Sequence, residues 1–465
     1  VWRMREARLR AASSMSATSS MRHPVDKRSG FETEYAPDGR EATVGKLRAM
    51  GALALVTVLA ACGGGGGTGD AVGGTDVRET TLPDVALEEQ SETDLVVAPP
   101  FDHCTPDAPP DAACFAAKRA PGSDAIALAT AIAARQMAAS PADTLPWNWE
   151  EAVLLQAMLE LHAVTGDPAL VAYARAWMDH HIAKGYVIAK SDTCAPTAVA
   201  IRLAALTGEP AYRQVGDEGL TYLVEVAHRT AEGGINHLGT FDALGVTLWV
   251  DSLFMFGNVF LRQGELFDDP TALGQMSDQF HIFTDLLQDP NGWYRHAYQW
   301  KSPQDPDVYW GRGNGWVTAA GADLVRVLSN RGERDTKVED ALKKQVSVIL
   351  STQDADSGLW WTVVNRPGET YLETSAAALF AFGMARGWRY GVLGDEVLPV
   401  IAKAMKGVRA RVVTNAEGQP VVTGVSGPTT AGTFANYAAI GQSDDLPFGV
   451  GAVIYALVET SGLPD

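Results

Sequence analysis

Asp251 stands alone among apolar neighbours in the run VTLWVDSLFMFGNVFL, residues 246–261. A carboxyl group in such surroundings is desolvated, which raises its pKa and keeps it a proton donor near neutral pH. The same residue also suits the cap of a helix, and the sequence leaves both roles open. Asp192, in KSDTCAP (190–196), precedes another apolar helix and reads first as a plain cap. A third stretch, NGWYRHAYQWKSPQDPDVYWGRGNGWV (291–317), crowds tryptophans and tyrosines with two arginines, a histidine and four glycines. It repeats its apolar residues at neither helical nor strand spacing until a helical face resumes with Val317, Ala320, Leu324 and Leu328. Long loops inside compact domains are usually functional, so this one is a candidate site. Carboxylates, flat aromatic faces, histidine and arginine together are equipment for sugars. Aromatic rings cover the apolar face of a pyranose, and arginine forks a carboxylate.

Other chemistries lack their residues. The chain has no GxSxG, HExxH or GK[ST] element. Gly311-Arg312-Gly313-Asn314-Gly315 lacks both the third glycine and the preceding strand of a dinucleotide turn. No cysteine and histidine spacing suggests zinc, so neither metal nor cofactor is expected.

The elements that must position these residues are helices. From Ser123 onward, amphipathic or apolar segments recur near 124–139, 149–164, 168–184, 195–207, 210–229, 246–263, 270–288, 313–331, 334–353, 370–388, 394–411 and 447–461. Thr165-Gly166-Asp167-Pro168 and Thr207-Gly208-Glu209-Pro210 each stop one helix with Gly and start the next with Pro. The helix before each is apolar nearly throughout, and the helix after it is amphipathic. That alternation implies an inner buried layer and an outer half-exposed one. Twelve helices make six pairs, and six pairs closing on themselves give an (α/α)6 barrel, with an open solenoid as the competing arrangement. Such barrels host several chemistries, so fold alone does not decide function.

The formal charge of −19 is unevenly spread. Residues 1–61 hold ten Lys/Arg against six Asp/Glu, which leaves 27 against 50 in the remainder, a net of −23. So acidic a body disfavours nucleic acid and anionic membranes as partners. Residues 47–62, LRAMGALALVTVLAAC, have a basic start and an apolar core too short to span a bilayer. Their end, Leu59-Ala60-Ala61-Cys62, resembles a bacterial lipoprotein signal, with Cys62 as the lipidated residue and the glycines of 63–67 as a tether. The expectation is an exported, membrane-anchored lipoprotein: signal and over-extended start over 1–61, stalk over 62–120, and one catalytic domain over 121–465. The stalk is rich in Pro, Asp, Ala and Thr and is expected to be disordered. Within it Cys104 and Cys114 are placed to pair, leaving Cys194 as a buried small hydrophobe.

Four motifs in order carry a resemblance: Trp249-Val250-Asp251-Ser252-Leu253-Phe254-Met255, Trp293-Tyr294-x-His296, Tyr309-Trp310-Gly311-Arg312-Gly313-Asn314-Gly315-Trp316 and Glu373-Thr374-Ser375-Ala376-Ala377. Over about residues 145–462 the chain is similar to the unsaturated glycuronyl hydrolases. It most closely resembles the unsaturated rhamnogalacturonyl hydrolases of glycoside hydrolase family 105, sister to family 88. The resemblance implies an (α/α)6 barrel and removal of a 4,5-unsaturated uronic acid from lyase-generated oligosaccharides. It implies Asp251 as general acid/base and Asp192 as a second active-site acid. It also implies His237, His296, Arg312, Trp316, Trp249 and Trp310 around the substrate, with Arg312, His237 and His296 gripping its carboxylate. Gly311 stands where the family often has Ala, and Gln299 where it has an acid, a change at the substrate rim. Rhamnogalacturonan fragments are the default substrate, with ulvan or glycosaminoglycan fragments as the alternative. Two opposing readings are a conventional glycosidase using Asp192 and Asp251 as a pair, and a sugar-binding lipoprotein without catalysis.

Overall fold

The computed structural model describes residues 119–463 apart from Pro121. The expected signal, the lipid site at Cys62, the stalk to residue 118 and the Cys104–Cys114 pairing lie outside the described residues.

Twelve helices of ten residues or more follow one another among the described residues. They are α1 (Asp124–Ala139), α2 (Trp149–Thr165), α3 (Pro168–Lys184), α4 (Pro196–Thr207), α5 (Pro210–Thr221), α6 (Gly257–Leu266), α7 (Pro270–Leu287), α8 (Gly311–Asn330), α9 (Thr336–Ser351), α10 (Thr374–Arg389), α11 (Leu398–Ala410) and α12 (Pro447–Thr460). The even-numbered helices form the inner layer. α2 buries every residue from Glu151 to His162, and α8 every residue from Gly311 to Leu328. The odd-numbered helices bury one stripe only. In α3 it is Leu170, Val171, Ala174, Trp177, Met178 and His181, at three- and four-residue spacing. Each even helix packs on the next, and α12 packs back on α2, which closes the ring; an odd helix lies outside each. The architecture is the (α/α)6 barrel, not the open solenoid.

Inner helices hand over to outer ones through short turns. Gly166 ends α2 at φ +69°, a left-handed conformation that costs other residues about 1–2 kcal/mol. Asp167 then caps α3 by accepting from the backbone N–H of Ala169 at 2.9 Å. Outer helices return to inner ones through long connections, 185–195, 222–256, 288–310, 352–373 and 411–446, so one end of the barrel is decorated. Short antiparallel ladders brace that end: β1 (Leu248–Trp249) with β2 (Ala297–Tyr298), β3 (Trp360–Trp361) with β4 (Leu372–Glu373), β5 (Val412–Thr414) with β6 (Pro420–Val422), and β7 (Val425–Ser426) with β8 (Gln442–Ser443).

Two expected helices are altered. The segment expected over 246–263 opens as β1, turns through Ser252–Met255, and becomes α6 only at Gly257. The segment expected over 210–229 ends its α-helical part at Thr221 and continues as a π turn over Tyr222–Val226.

The opposite end of the ring is closed by charge. Glu160 of α2, Arg202 of α4, Arg262 and Glu265 of α6, Asp323 and Arg326 of α8, Arg386 and Arg389 of α10, and Glu459 of α12 form one ionic network. Arg386 joins Asp323 at 2.5 Å to Glu459 at 2.6 Å, and Arg119 reaches Glu459 from outside the ring at 2.7 Å.

Candidate active site

The six inner helices begin at the decorated end, and the candidate residues sit on or beside their first turns. Asp251 lies between β1 and the turn Ser252–Met255. β1 is fixed by pairing Trp249 with Ala297, and Val250 N–H donates to the His296 carbonyl at 3.0 Å. Asp251 therefore follows a strand that is tied to the 291–310 loop. Its side chain makes no capping bond, so the helix-cap alternative does not hold. It is half-buried, and its Oδ1 is sealed from solvent with no hydrogen-bond partner in the protein. Burial pushes its pKa up, and the charge of Asp192 adds to this; His237 and Arg312 oppose it.

Aromatic rings and histidines wall the acid. His237 lies flat against Trp249, with ring centroids 4.4 Å apart and planes 3° apart. Its Nδ1 meets Ser252 Oγ at 2.9 Å, and its Nε2 stands 4.0 Å from Asp192 Oδ1. His296 packs edge-on to Trp249 at 5.1 Å and stacks on Trp310 at 4.3 Å. Its Nδ1 is bonded to the Tyr437 hydroxyl at 2.8 Å, while Nε2 is buried with no protein partner. Burial first, and then the Arg312 charge, holds its pKa well below the ordinary imidazole range, so the ring is neutral at physiological pH. Asp192 pairs with Lys190 Nζ at 2.8 Å through Oδ2.

Asp192, His237, Trp249, Asp251, His296 and Trp310 are thus one cluster. The other two expected contacts are corrected. Trp316 has no exposed surface and packs into the core against Phe254 at 4.7 Å and Trp149 at 6.5 Å, so it supports the floor and does not touch a ligand. Arg312 is equally sealed. Its Nη1 donates to the Ser426 carbonyl and its Nη2 to the Gly427 carbonyl, both at 2.7 Å, and Nη2 also donates to Thr429 Oγ1 at 3.1 Å. The guanidinium lies over Trp310 and Phe448 and 4.0 Å from Glu373 Oε1. It straps the loop after β7 to the barrel and is not a free fork for a carboxylate.

Glu373 is itself a cap. It accepts from the Ser375 backbone N–H and hydroxyl, from Ala376 N–H, and from Ser426 N–H at 2.9 Å. The sequence did not single out Tyr437, Ser252, Lys190 or Glu150. Glu150, in the first turn of α2, is half-buried; burial raises its pKa, with Asp192 adding and Arg312 opposing. Its signal was there to be read, an acid directly after Trp149 at the start of an apolar helix. Tyr437 had no such signal, because it lies 141 residues from the histidine it holds.

Buried polar atoms without a protein partner gather here: Ser191 Oγ, Trp249 Nε1, Asp251 Oδ1, His296 Nε2, Trp310 Nε1 and Arg312 Nε. Each such atom costs about 1–3 kcal/mol if left bare, and five of the six, all but Arg312 Nε in the strap, lie on the residues of the cluster or beside Asp192. Stacked aromatic walls, a neutral imidazole and a carboxyl held toward its protonated form suit proton transfer to a bound sugar.

The family described as Glycosyl Hydrolase Family 88 matches residues 128–463. The unsaturated rhamnogalacturonyl hydrolase YesR of Bacillus subtilis is 27% identical over 267 residues, which cover 56% of this chain and 76% of that protein. An unsaturated 3S-rhamnoglycuronyl hydrolase of Formosa agariphila is 30% identical over 171 residues, 34% of this chain and 45% of that one. Among solved structures, a possible member of family 105 from Salmonella enterica superposes with a TM-score of 0.64 at 22% identity, covering 73% of this chain and 96% of that one. The unsaturated glucuronyl hydrolase of a Bacillus species gives 0.56 at 14% identity, covering 72% and 95%. These two likenesses establish the shared fold.

Proposed function

Because the chain belongs to glycosyl hydrolase family 88, we propose that it removes the 4,5-unsaturated uronic acid from the non-reducing end of lyase-generated oligosaccharides. Asp251 is the general acid. The observation that carries this is its carboxyl group, sealed with Oδ1 on no protein partner and pushed toward the protonated form by burial, two residues after the Trp249 that packs on His237 and His296.

The terminal sugar of such a substrate is a vinyl ether. Asp251 gives its proton to C4 of the double bond, and an oxocarbenium ion forms at C5. The Asp251 carboxylate then takes a proton from the water that adds at C5, with Asp192 beside it as the second acid of the site. The resulting hemiketal opens and the glycosidic bond breaks. No covalent sugar–enzyme intermediate is formed, so the carboxylate separation that sorts ordinary glycosidases does not apply. Trp249 and Trp310 face the ring, and His237 and His296 contact its hydroxyls. YesR supports rhamnogalacturonan fragments as the substrate class. Attachment through Cys62 is proposed on the Leu59-Ala60-Ala61-Cys62 sequence, and an intact mass without lipid on Cys62 would refute it.

The test is Asp251→Asn, assayed by loss of ultraviolet absorbance as the double bond is consumed across a panel of lyase products. The variant binds substrate and turns none over. Retained turnover would overturn the assignment, and activity of the native protein on saturated glycosides alone would overturn the reaction.

A further inference from the structure

A terminal uronate is an anion, and a chain of net charge −19 repels it at long range. A cation at the mouth would offset that repulsion at short range. Arg312 does not, since both its Nη atoms bond main-chain carbonyls. His296 is held neutral, and His237 is engaged on both ring nitrogens, Nδ1 with Ser252 Oγ and Nε2 facing Asp192. The arginines of α6, α8 and α10 close the other end of the barrel. Lys301 Nζ donates to the Ala243 carbonyl at the exposed rim.

Lys190 differs from all of these. Its side chain is 45% exposed, and Nζ lies 2.8 Å from Asp192 Oδ2. Asp192 Oδ1 in turn lies 4.0 Å from His237 Nε2, and the His237 ring lies flat on Trp249, so Lys190 is joined to the wall of the site. An ammonium group has three donors, and the structure gives Asp192 as the partner of one. The backbone below is fixed, because Ala189 and Lys190 N–H both donate to Thr193 Oγ1, at 2.9 and 3.2 Å. A pinned backbone under a flexible four-carbon stem lets the ammonium pivot without leaving Asp192. The charges favour it: a uronate entering beside Asp192 meets a like charge, and a cation between the two carboxylates offsets that repulsion.

We propose that Lys190 is the specificity residue for the free carboxylate, its Nζ bridging Asp192 and the terminal uronate. The proposal rests on the reaction assigned to Asp251. It predicts a preference for the free acid over its methyl ester, because the ester has no charge for Lys190 to meet.

The experiment compares native protein, Lys190→Met and Lys190→Arg on an unsaturated lyase disaccharide and on its uronate methyl ester. Lys190→Met lowers the acid-over-ester ratio of kcat/KM about tenfold, mainly through KM, and Lys190→Arg restores most of it. If Lys190 only holds Asp192 in place, acid and ester lose equally, and the proposal is overturned; an unchanged ratio overturns it as well. Binding separates this outcome from failure of the reaction itself. Glucuronate and glucuronamide are titrated against native protein and Lys190→Met by tryptophan fluorescence. Should the native protein turn over no unsaturated substrate, the proposed reaction falls. Lys190 then still stands if Lys190→Met abolishes a preference for glucuronate, and falls if that preference is absent or survives.

Discussion

Replacing Arg312 with methionine separates two roles for this residue. The change keeps an unbranched stem over the Trp310 and Phe448 rings, 4.8 and 4.7 Å from the guanidinium carbon, and deletes the charge and its donors. Three hydrogen bonds are lost, to the carbonyls of Ser426 and Gly427 and to Thr429 Oγ1. Bonds to a charged group contribute about 1.5–3 kcal/mol each, and burying the cation itself has a cost that methionine avoids. The balance is a loss of about 3–5 kcal/mol, the scale seen when one partner of a buried ionic contact is removed. Domains of this kind have a total stability of about 5–15 kcal/mol, so the variant folds but unfolds at markedly lower urea. Activity falls with it, because the freed loop leads to the groups that hold the wall. Ala431 accepts from Trp300 Nε1 at 3.1 Å, and Gly432 N–H donates to the Tyr437 hydroxyl that holds His296. The assay is urea unfolding followed by fluorescence, paired with steady-state kinetics on a uronate-terminated substrate. The expected result is a lowered midpoint with kcat reduced. An unchanged midpoint with a raised KM alone would show the guanidinium meeting the substrate and refute the strap.

Asp251→Asn should also alter stability with pH. A folded-state pKa above the unfolded value means that the group favours folding fully in acid and loses this as pH rises through the raised pKa, so the variant's melting temperature gains on the native one with rising pH. Parallel melting curves would contradict the burial argument. Native kcat/KM should fall on the alkaline side as this acid deprotonates, a limb that a pH–rate profile reads directly. Glu151, buried in α2 with Oε2 lacking a partner, is pushed up to about 8, first by burial and then by the charge of Glu150. Its contribution to stability is full below about 4.5 and is lost by about 8; Glu151→Gln should flatten the stability profile across that window, and an unchanged slope refutes it. Tyr437→Phe removes the partner of His296 Nδ1. It also bares the Gly432 N–H, so it should cost about 1–3 kcal/mol of unfolding free energy and lower kcat/KM about tenfold, and a stability loss without a kinetic one would make Tyr437 merely structural.

The helices were legible because their signals are local. Gly166 and Gly208 ending one helix and Pro168 and Pro210 opening the next are visible within four residues, and the buried-then-amphipathic alternation follows from side-chain spacing alone. Asp251 was legible as an acid among apolar residues, but its freedom from capping was not. That depends on β1 pairing with β2, a contact between Trp249 and Ala297 that no local pattern encodes. Arg312 and Trp316 misled for a related reason. Arginine and tryptophan beside glycines suit a ligand surface and a buried first turn equally, and only the return of the chain at Ser426, 114 residues later, decides between them. The 291–317 stretch is a loop as far as residue 310, and its last part is the buried start of α8.

The two ends of the barrel treat buried polarity in opposite ways, and that contrast indicates which end carries the chemistry. At the closed end the paired charges match across neighbouring inner helices. Glu160 and Asp323 are held well below the ordinary carboxylate range, and Glu459 falls to about 2, because guanidinium groups outweigh the effect of burial. At the mouth the order reverses. Asp251 and Glu150 are pushed up and Arg312 is pushed down, because burial there outweighs the charges nearby. The same helices carry both ends: α2 bears Glu150 and Glu160, α8 bears Arg312 and Asp323, and Asp251 leads into α6 with Arg262. Helices are stiff, so an ionic network that fixes six of them against one another at one end also fixes the spacing of their first turns at the other. Polar groups without partners would relax toward one another on a loose scaffold. On this one they are held apart, and the carboxyl, the imidazole and the indole N–H groups stay without protein partners.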